Sequence, residues 1–493
     1  MKIIMLSVIL VPALAGALLP VFRFRRKGNL IYTGAVLLLV TVLSCVLLSG
    51  ENTEFVLFSM TEKLSVSLHL DLLSRVFIAA GAFGFLLAGI FAFRYMEHEE
   101  KEGSFKESTF YSFYLLTLAA IFGMDMSKNL IAMYFFFEML TLLSMPLVLF
   151  ERTKESIAAA LKYLFYSIGG AFLALAAIFT FAVYAPTLDF VPGGSLSGST
   201  EATAHRTLLL VMSFLGIVGF SAKAGMYPLH GWLPTAHPQA PAPASAVLSG
   251  VIAKAGVLAI IRVLYFVIGP SFIAGSWVQT ALLALSLLTV FMGSMMAYLE
   301  KNLKKRLAYS SVSQISYALF GVFLLNPAGF TGGILQVLFH AAAKICLFLT
   351  AGSFIFHGNR RLVTDLKGIG KTMPFTLGAF TFASLSLVGI PPFSGFVSKW
   401  FLAEGSLSSG IPVISWLGPV ILLISALLTA GYLFPVTTAG YFPGKDFKAG
   451  EKTGEGGVLM LLPLMLLATA VLALGIFSGS LSNVFESGFA ALF

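Results

Sequence analysis

Ionisable side chains in the middle of long apolar stretches are the residues of this chain whose types and positions could do chemistry. Four are the lysines Lys223, Lys254, Lys344 and Lys399, and one is the carboxylate of Glu138. A charge in hydrocarbon costs about 2.5–3.5 kcal/mol on insertion scales, so such residues are rare unless they function. Amines and a carboxylate at this depth predict a pathway for protons or cations.

One of these apolar stretches also contains a histidine. His340 precedes Lys344 by four residues, which places both on one face of a helix. Lys254 lies among small residues, and an imidazole exchanges protons near neutral pH. We expect Lys254, His340 and Lys344 to act as a proton relay; the alternative for His340 is packing against a backbone carbonyl.

Glu138 and Lys223 are candidates for a charge pair. Glu138 is far from both ends of its stretch and cannot reach water, whereas Lys223 lies near a stretch end and could extend its amine outward. Ser221 and Ala222 leave room beside Lys223 for a partner. We therefore expect a Glu138–Lys223 pair, with a protonated, structural Glu138 as the alternative.

The remaining buried charges have two explanations each. Lys399 is either an exchange site or an interfacial lysine paired with Glu404, which follows it. Arg75, Lys162 and Arg262 lie near stretch ends, where anchoring to the interface explains them equally well.

The sequence indicates no metal, cofactor or redox site. His230 and His237 flank Trp232, but a two-histidine metal site lacks a third ligand there. Cys45 and Cys346 are far apart and belong to no Cys-x-x-Cys motif.

The elements that position these residues are membrane-spanning helices. The chain has 493 residues, of which 58% are hydrophobic and 11% charged, and its mean hydropathy is +0.93. These values are typical of a polytopic membrane protein, and the predicted fold class is all-α. Fourteen spans are predicted, at 3–21, 30–49, 71–93, 110–126, 127–149, 156–184, 207–227, 243–268, 275–298, 306–325, 330–356, 373–404, 412–440 and 458–480.

The basic residues of the connections are distributed unevenly between the two sides of the membrane. Of the 31 lysines and arginines, 20 fall in alternate connections, four on the opposite side and seven within the spans. By the positive-inside rule the richer side is cytoplasmic, and both termini lie outside. The 20 are Arg23, Arg25, Arg26, Lys27, Arg94, Lys101, Lys106, Arg152, Lys154, Lys301, Lys304, Lys305, Arg306, Arg360, Arg361, Lys367, Lys371, Lys445, Lys448 and Lys452; the four are Lys2, Lys63, Lys128 and Arg206.

Two spans contain helix-breaking residues, Gly225–Pro228 in the seventh and Gly389–Gly395 in the twelfth. Matched breaks predict an inverted-repeat transporter, whereas a simple kink is the alternative. Each break falls on the fourth helix of a five-helix unit. The predicted division is 1–109 for helices 1–3, 110–268 and 269–440 for the two repeats, and 441–493 for helix 14.

On these residues the chain resembles the antiporter-like, proton-translocating subunits of respiratory complex I, energy-converting membrane-bound hydrogenases and Mrp-type sodium/proton antiporters, particularly Mrp D. The resemblance covers the central two thirds of the chain or more. It rests on the segments Phe137–Glu138, Ala159–Leu164, Lys223–His237, Ala240–Ser245, Lys254–Gly256, Lys305–Ser311, His340–Lys344 and Gly389–Phe396.

The resemblance implies fourteen helices, two inverted five-helix repeats and broken helices 7 and 12. It also implies site roles: Glu138 and Lys223 as the carboxylate–lysine pair, Lys254 as the central relay, His340 and Lys344 as the eleventh-helix relay, and Lys399 as the exchange residue. Gln314 stands where some members have histidine, and Lys399 where one complex I class has glutamate, which favours the Mrp and hydrogenase branch. 

The expected function is proton translocation, with or without sodium exchange, by a non-redox subunit of a membrane complex. The expected partners are other membrane subunits, including further antiporter-like chains, peripheral redox subunits and lipid, but no nucleic acid; the expected location is the cell membrane. A stand-alone transporter of a small solute or cation, a purely structural subunit and a quinone-reductase pumping subunit are the alternatives.

Overall fold

The computed structural model describes residues 1–22, 24–59, 65–99, 103–444 and 454–493, and within them the chain is a bundle of helices with one β-hairpin. Six of the basic residues counted above lie outside the described residues: Arg23, Lys63, Lys101, Lys445, Lys448 and Lys452.

The α-helices of the described residues are numbered in chain order. The first ten are α1 (Lys2–Phe22), α2 (Arg26–Leu48), α3 (Leu72–Tyr95), α4 (Glu107–Asp125), α5 (Leu130–Val148), α6 (Lys154–Tyr184), α7 (Thr200–Ala204), α8 (Arg206–Ala224), α9 (Leu233–Gln239) and α10 (Ala242–Val247). The others are α11 (Ala253–Arg262), α12 (Pro270–Ile273), α13 (Trp277–Leu299), α14 (Leu303–Phe323), α15 (Pro327–Phe356), α16 (Pro374–Val388), α17 (Ser394–Leu407), α18 (Ile414–Tyr441), α19 (Val458–Ile476) and α20 (Ser478–Gly488). Short 3-10 turns lie at Met96–His98, Val363–Leu366, Ile369–Lys371 and Ala490–Leu492.

The structure confirms the predicted membrane helices. Eleven helical segments of the described residues have the length and hydropathy needed to cross a membrane. One of them, Ala242–Ile268, joins α10 and α11 through the π-helical turns Leu248–Ile252 and Val263–Ile268. The more polar α4 and α14 and the divided α16–α17 pair occupy the fourth, tenth and twelfth predicted positions, which brings the crossings to fourteen.

Two highly enclosed crossings carry the central lysines. Ala242–Ile268 is 100% buried and α15 is 89% buried over their most apolar windows, whereas α18 and α19 are 33% buried. The charged side chains of the enclosed helices are therefore shielded from lipid by other helices, which lowers the cost of keeping them in the membrane.

Both predicted helix breaks are present. α8 ends at Gly225 and α16 ends at Gly389, and the two glycines have left-handed backbones with φ of 79° and 91°. A side chain at either position would be strained, so glycine ends each helix where a lysine lies close by. The residue boundaries of the two five-helix repeats stay a prediction.

A β-hairpin between α2 and α3 was not predicted. Strand β1 (Thr53–Ser59) pairs antiparallel with β2 (Ser65–Leu70), and an isolated bridge ties Leu68 to Ser127 in the α4–α5 connection. This side of the bundle is called the hairpin end, and the opposite side, which carries most basic connections, is called the basic end.

Candidate functional site

Lys223 is buried and does not extend to the membrane surface. It lies in the last turn of α8, where its side chain is 0% exposed. Its Nζ donates hydrogen bonds to Thr141 Oγ1 at 2.6 Å and to Tyr163 OH at 3.1 Å. The ammonium also lies 5.2 Å from the ring centroids of Phe137 and Tyr163. Hydroxyl groups and aromatic faces thus surround this charge.

Glu138 is a neighbour of Lys223 but does not contact it in this conformation. Lys223 approaches the part of α5 that carries Glu138, because it binds Thr141, which follows Glu138 by three residues. In the described residues the two form no ion pair, and Glu138 Oε1 is buried without a hydrogen-bond donor. Their charges nevertheless interact. Glu138 and Lys223, the predicted pair, are therefore neighbours but do not form an ion pair in this conformation.

Lys254 lies at the start of α11, directly after a π-helical turn. Its side chain is 3% exposed and its Nζ donates to the carbonyl oxygen of Ser249, within that turn. Ser249 Oγ is 2.6 Å from Ser311 Oγ of α14. A π-helical turn displaces carbonyls from the regular ladder, and such turns are frequent at functional sites.

His340 and Lys344 face this lysine from α15. Lys344 is 0% exposed and donates to the Leu307 carbonyl oxygen at 2.9 Å. His340 is 2% exposed, and neither of its ring nitrogens has a partner in the described residues. The charges of Lys254 and Lys344 both act on His340. The structure thus assembles the three predicted relay residues, and the alternative of a carbonyl-bound His340 does not hold here.

Lys399 binds the end of the broken helix. Its Nζ donates to the carbonyl oxygens of Leu387 and, at 2.8 Å, Val388, and it lies 5.4 Å from the Tyr317 ring centroid. These carbonyls are left without helical partners where α16 ends, and a cation is favoured at that end of a helix dipole. In the described residues Lys399 forms no ion pair with Glu404.

A side-chain link between α15 and α17 was missed by the sequence. Gln336 Nε2 donates to Gln314 Oε1 at 2.9 Å, and Gln336 Oε1 accepts a hydrogen bond from Ser398 at 2.7 Å. Ser398 directly precedes Lys399. The spacing could have revealed it, because Gln336 lies four residues before His340 on the same helix face.

His237 lies inside the bundle rather than in an open loop. It is 0% exposed, its ring stacks on Phe348 with centroids 4.7 Å apart, and neither ring nitrogen has a partner in the described residues. The charges of Lys304, Lys344 and Lys254 act on it. His230 instead stacks on Tyr227, and no group of three or more potential metal ligands occurs in the described residues.

A polar cavity at the basic end is lined in part by Pro238, the residue that follows His237. It has a volume of about 110 Å³ and lies beside the segment that connects α9 to α10. Its lining includes Tyr95, Glu99, Glu151, Lys304 and Arg361. Lys304 is 6% exposed and donates to the Ala240 carbonyl oxygen.

Three charges that the sequence left as possible anchors have different environments. Arg75, near the start of α3, donates a hydrogen bond to Asn52, and Lys162, in the third turn of α6, donates one to Thr235. Arg262 is only 2% exposed and forms an ion pair with Asp71. The anchor interpretation of Arg262 is therefore wrong, because its partner is a protein carboxylate and not the membrane interface.

The sequence is similar to membrane subunits of several known complexes. Residues 127–429 match the transmembrane family described as NADH:quinone oxidoreductase/Mrp antiporter. NADH-quinone oxidoreductase subunit N from Desulforudis audaxviator is 32% identical over 92% of this chain and 90% of its own length. Hydrogenase-4 component B from Escherichia coli is 30% identical over 74% of this chain, and Na(+)/H(+) antiporter subunit A1 from Staphylococcus aureus is 28% identical over 98%. The chain spans only 55% and 62% of the latter two proteins.

Solved structures share the fold over the whole chain. A chain of the Mrp complex from a Dietzia species aligns with a TM-score of 0.84 and 23% identity, covering 100% of this chain and 98% of that one. A chain of the archaeal membrane-bound sulfane sulfur reductase gives 0.85 and 23%, with coverages of 99% and 97%. A chain of respiratory complex I from Thermus thermophilus gives 0.81 and 22%, with coverages of 99% and 100%.

Proposed function

Because the chain belongs to the NADH:quinone oxidoreductase/Mrp antiporter family and is an antiporter-like membrane subunit, we propose that it conducts protons across the membrane within a multisubunit complex. The observation that carries the proposal is the cluster of Lys254, His340 and Lys344 on two highly enclosed crossings. Three titratable groups at this depth are costly, and packing alone does not require them.

Protons move along this cluster because its members share one electrostatic environment. The charge of Lys254 acts on both His340 and Lys344. A proton on one group therefore raises the free energy of a proton on the next, and the three titrate as a unit. The unpartnered imidazole of His340 can accept a proton on one nitrogen and release one from the other.

Lys223 controls the arrival of protons at the relay from Glu138. In the observed conformation the lysine is bound to Thr141 and Tyr163 and not to Glu138. Rotation of the flexible lysine toward the carboxylate would form the ion pair, and its return would break it. Each move changes the charge that Lys254 experiences, which is a switch by charge pairing.

Lys399 is the exchange group of the second repeat. The Gln314–Gln336–Ser398 hydrogen bonds extend from the neighbourhood of His340 to the residue before Lys399. The free carbonyls at the end of α16 hold the amine in place. This arrangement is consistent with a proton pathway that continues across the second repeat.

The surface and the charge distribution support a proposed location and proposed partners. We place the protein in the cell membrane with its hairpin end and both termini outside, because basic connections favour the cytoplasm. Further membrane subunits, including antiporter-like chains, and peripheral redox subunits are the proposed partners. Exposed apolar side chains on α6 and α18, including Phe165, Phe172 and Leu427, would face lipid or such subunits.

Proton transport by the reconstituted complex with substitutions at Lys254 tests the proposal. Lys254→Ala should abolish transport, and Lys254→His should retain more than Lys254→Arg, because arginine hardly releases its proton. Subunit content by mass spectrometry controls for assembly. Equal transport by the histidine and arginine variants would mean that Lys254 is only a fixed charge.

A quinone-reductase complex is the second candidate setting. The chain covers 90% of an NADH-quinone oxidoreductase subunit N but only 55% and 62% of the hydrogenase component and the antiporter subunit A1. The chains that purify with the protein distinguish the settings: quinone and flavin modules, nickel–iron hydrogenase subunits, or a set of small Mrp-type membrane chains.

A further inference from the structure

A buried charge cluster at the hairpin end is separate from the relay described above. Arg262, in the last turn of α11, forms two hydrogen bonds with Asp71, at 2.6 and 2.8 Å. It also donates to Ser74 at 3.1 Å, and its guanidinium lies 5.3 Å from the Phe190 centroid and 5.0 Å from that of Phe266. A bidentate pair between two aromatic rings has a fixed geometry.

Asp71 is the permanent anion of this cluster. It precedes α3, and its carboxylate also accepts hydrogen bonds from the Ser74 backbone and side chain, both at 2.8 Å. Burial by itself raises the pKa of Asp71, but the Arg262 guanidinium lowers it well below its usual value. Asp71 and Arg262 therefore neutralise each other over the physiological pH range.

Asp125 is the third member, and its charge is not balanced. It is the last residue of α4, it is 1% exposed, and its Oδ2 has no hydrogen-bond donor in the described residues. Arg262 is the ionisable group whose charge acts on it, and that guanidinium is already bound to Asp71. A buried carboxylate without its own cation is costly, so proton gain and loss at Asp125 set the net charge of the cluster.

Exposed charged groups follow Asp125 in the chain at the hairpin end. Lys128, three residues later, forms ion pairs with Glu54 at 3.0 Å and Asp189 at 3.7 Å, and these two carboxylates are 59% and 45% exposed. His69 and Lys2 are further titratable groups here. The backbone N–H of His69 donates to the Met126 carbonyl oxygen, the charges of Asp71 and Arg262 act on its ring, and the charge of Lys2 acts on Glu54. A network of exposed charges thus begins three residues after the buried acid.

The relay and this cluster share a helix. Lys254 and Arg262 are eight residues apart on α11, which is about 12 Å along the axis. We propose that Asp125 is the residue at which protons of the first repeat exchange with the solution at the hairpin end. Arg262, which Asp71 holds in place, supplies the positive charge that stabilises the Asp125 carboxylate. The inference rests on the proposed function. In each exchange the Asp125 carboxyl group takes one proton from the pathway and transfers one to water at the hairpin end.

Asp125→Asn in the reconstituted complex is the direct test. It keeps the size of the side chain and removes its proton, so transport should fall about a hundredfold, as for loss of a proton-transfer group. Asp189→Asn makes the same change in an exposed acid of the same end and should leave transport unchanged. Asp125→Asn with wild-type transport would overturn the inference.

Two further variants separate the possible failures. If Lys254→Ala blocks transport while Asp125→Asn does not, the exchange site is wrong and the proposed function stands; if neither blocks it, the proposed function itself fails. Arg262→Lys retains the charge but loses the bidentate geometry, so it should shift the pH at which transport is half-maximal, measured by varying the pH at the hairpin end. An unchanged profile would remove Arg262 from this role.

A labelling experiment on the wild-type complex covers the case in which Asp125→Asn does not assemble. A hydrophobic carbodiimide modifies buried carboxyl groups that carry a proton. Mass spectrometry should locate the label on Asp125 and not on Asp71, with less label when the pH at the hairpin end is raised. Absence of the label from Asp125 would overturn the inference.

Discussion

Lys223 donates its shortest hydrogen bond to Thr141, at 2.6 Å, and none to Glu138, although Glu138 precedes Thr141 by only three residues on α5. The lysine is therefore held in a position where the carboxylate acts on it only through space. The proposed switch is a change of partner of the Lys223 amine from Thr141 to Glu138.

Variants of this pair should separate its two partners. Glu138→Gln and Lys223→Ala should each reduce proton transport severely, since either removes the charge pair. Thr141→Val removes one hydrogen bond to a charged group, worth about 1.5–3 kcal/mol, and should favour the Glu138-bound position. Transport by reconstituted complex of verified subunit content is the measurement. Wild-type transport by Glu138→Gln would exclude the pair from the mechanism.

Lys399→Ala should abolish transport, because the end of α16 would keep its free carbonyls without a cation to exchange. Lys399→Glu should retain part of it, since a carboxyl group can also titrate there. Lys305→Ala, at a lysine whose side chain is 42% exposed and pairs with Glu300, is the matched control. Normal transport in assembled Lys399→Ala would move the exchange site elsewhere.

Gln336→Leu should slow transport without loss of the complex. The change removes the hydrogen bonds to Gln314 and Ser398 and leaves buried polar groups unpartnered, at a cost of about 1–3 kcal/mol. Gln336→Glu keeps the hydrogen-bond acceptor for Ser398 and should be the milder of the two. Equal rates for Gln336→Leu and the wild type would show that the link only packs α15 against α17.

Asp71→Asn should destabilise the protein at neutral pH. Removal of one partner of a buried ion pair costs about 3–5 kcal/mol. Burial raises the pKa of Asp71, but Arg262 lowers it by more, so the pKa in the folded protein is below the unfolded value of about 3.9. The ion pair therefore stabilises the protein above the unfolded pKa, and this stabilisation is lost as the pH falls through the folded pKa. The midpoint temperature of thermal unfolding, measured at pH 7, should thus be lower for Asp71→Asn than for the wild type. An unchanged midpoint would contradict the prediction, with Asp189→Asn as control.

Single cysteines should report the sidedness. Cysteine at Arg361, which is exposed at the basic end, should react only from the cytoplasm, and cysteine at Thr200, which is exposed at the hairpin end, only from outside. Labelling of both by a membrane-impermeant maleimide from the same side would contradict the assigned topology.

Local sequence was sufficient to predict the membrane-spanning helices of this protein. The length of an apolar stretch fixes whether it can cross a membrane, so the fourteen crossings, including the separation of 110–126 from 127–149, could be predicted. Gly225 and Gly389 end helices through their own backbone freedom, so both breaks were predictable as well. The depth of Lys254 and Lys344 in their stretches also identified them as buried charges.

Tertiary structure alone decided which groups these charges contact. Arg262 and Asp71 are 191 positions apart, and Lys223 and Thr141 are 82 apart. The burial of His237 and the unbalanced charge of Asp125 depend on neighbouring helices in the same way. Spacing along one helix predicts which residues share a face, but the rotation and depth at which separate helices pack determine which faces meet, and that follows from packing of the whole bundle.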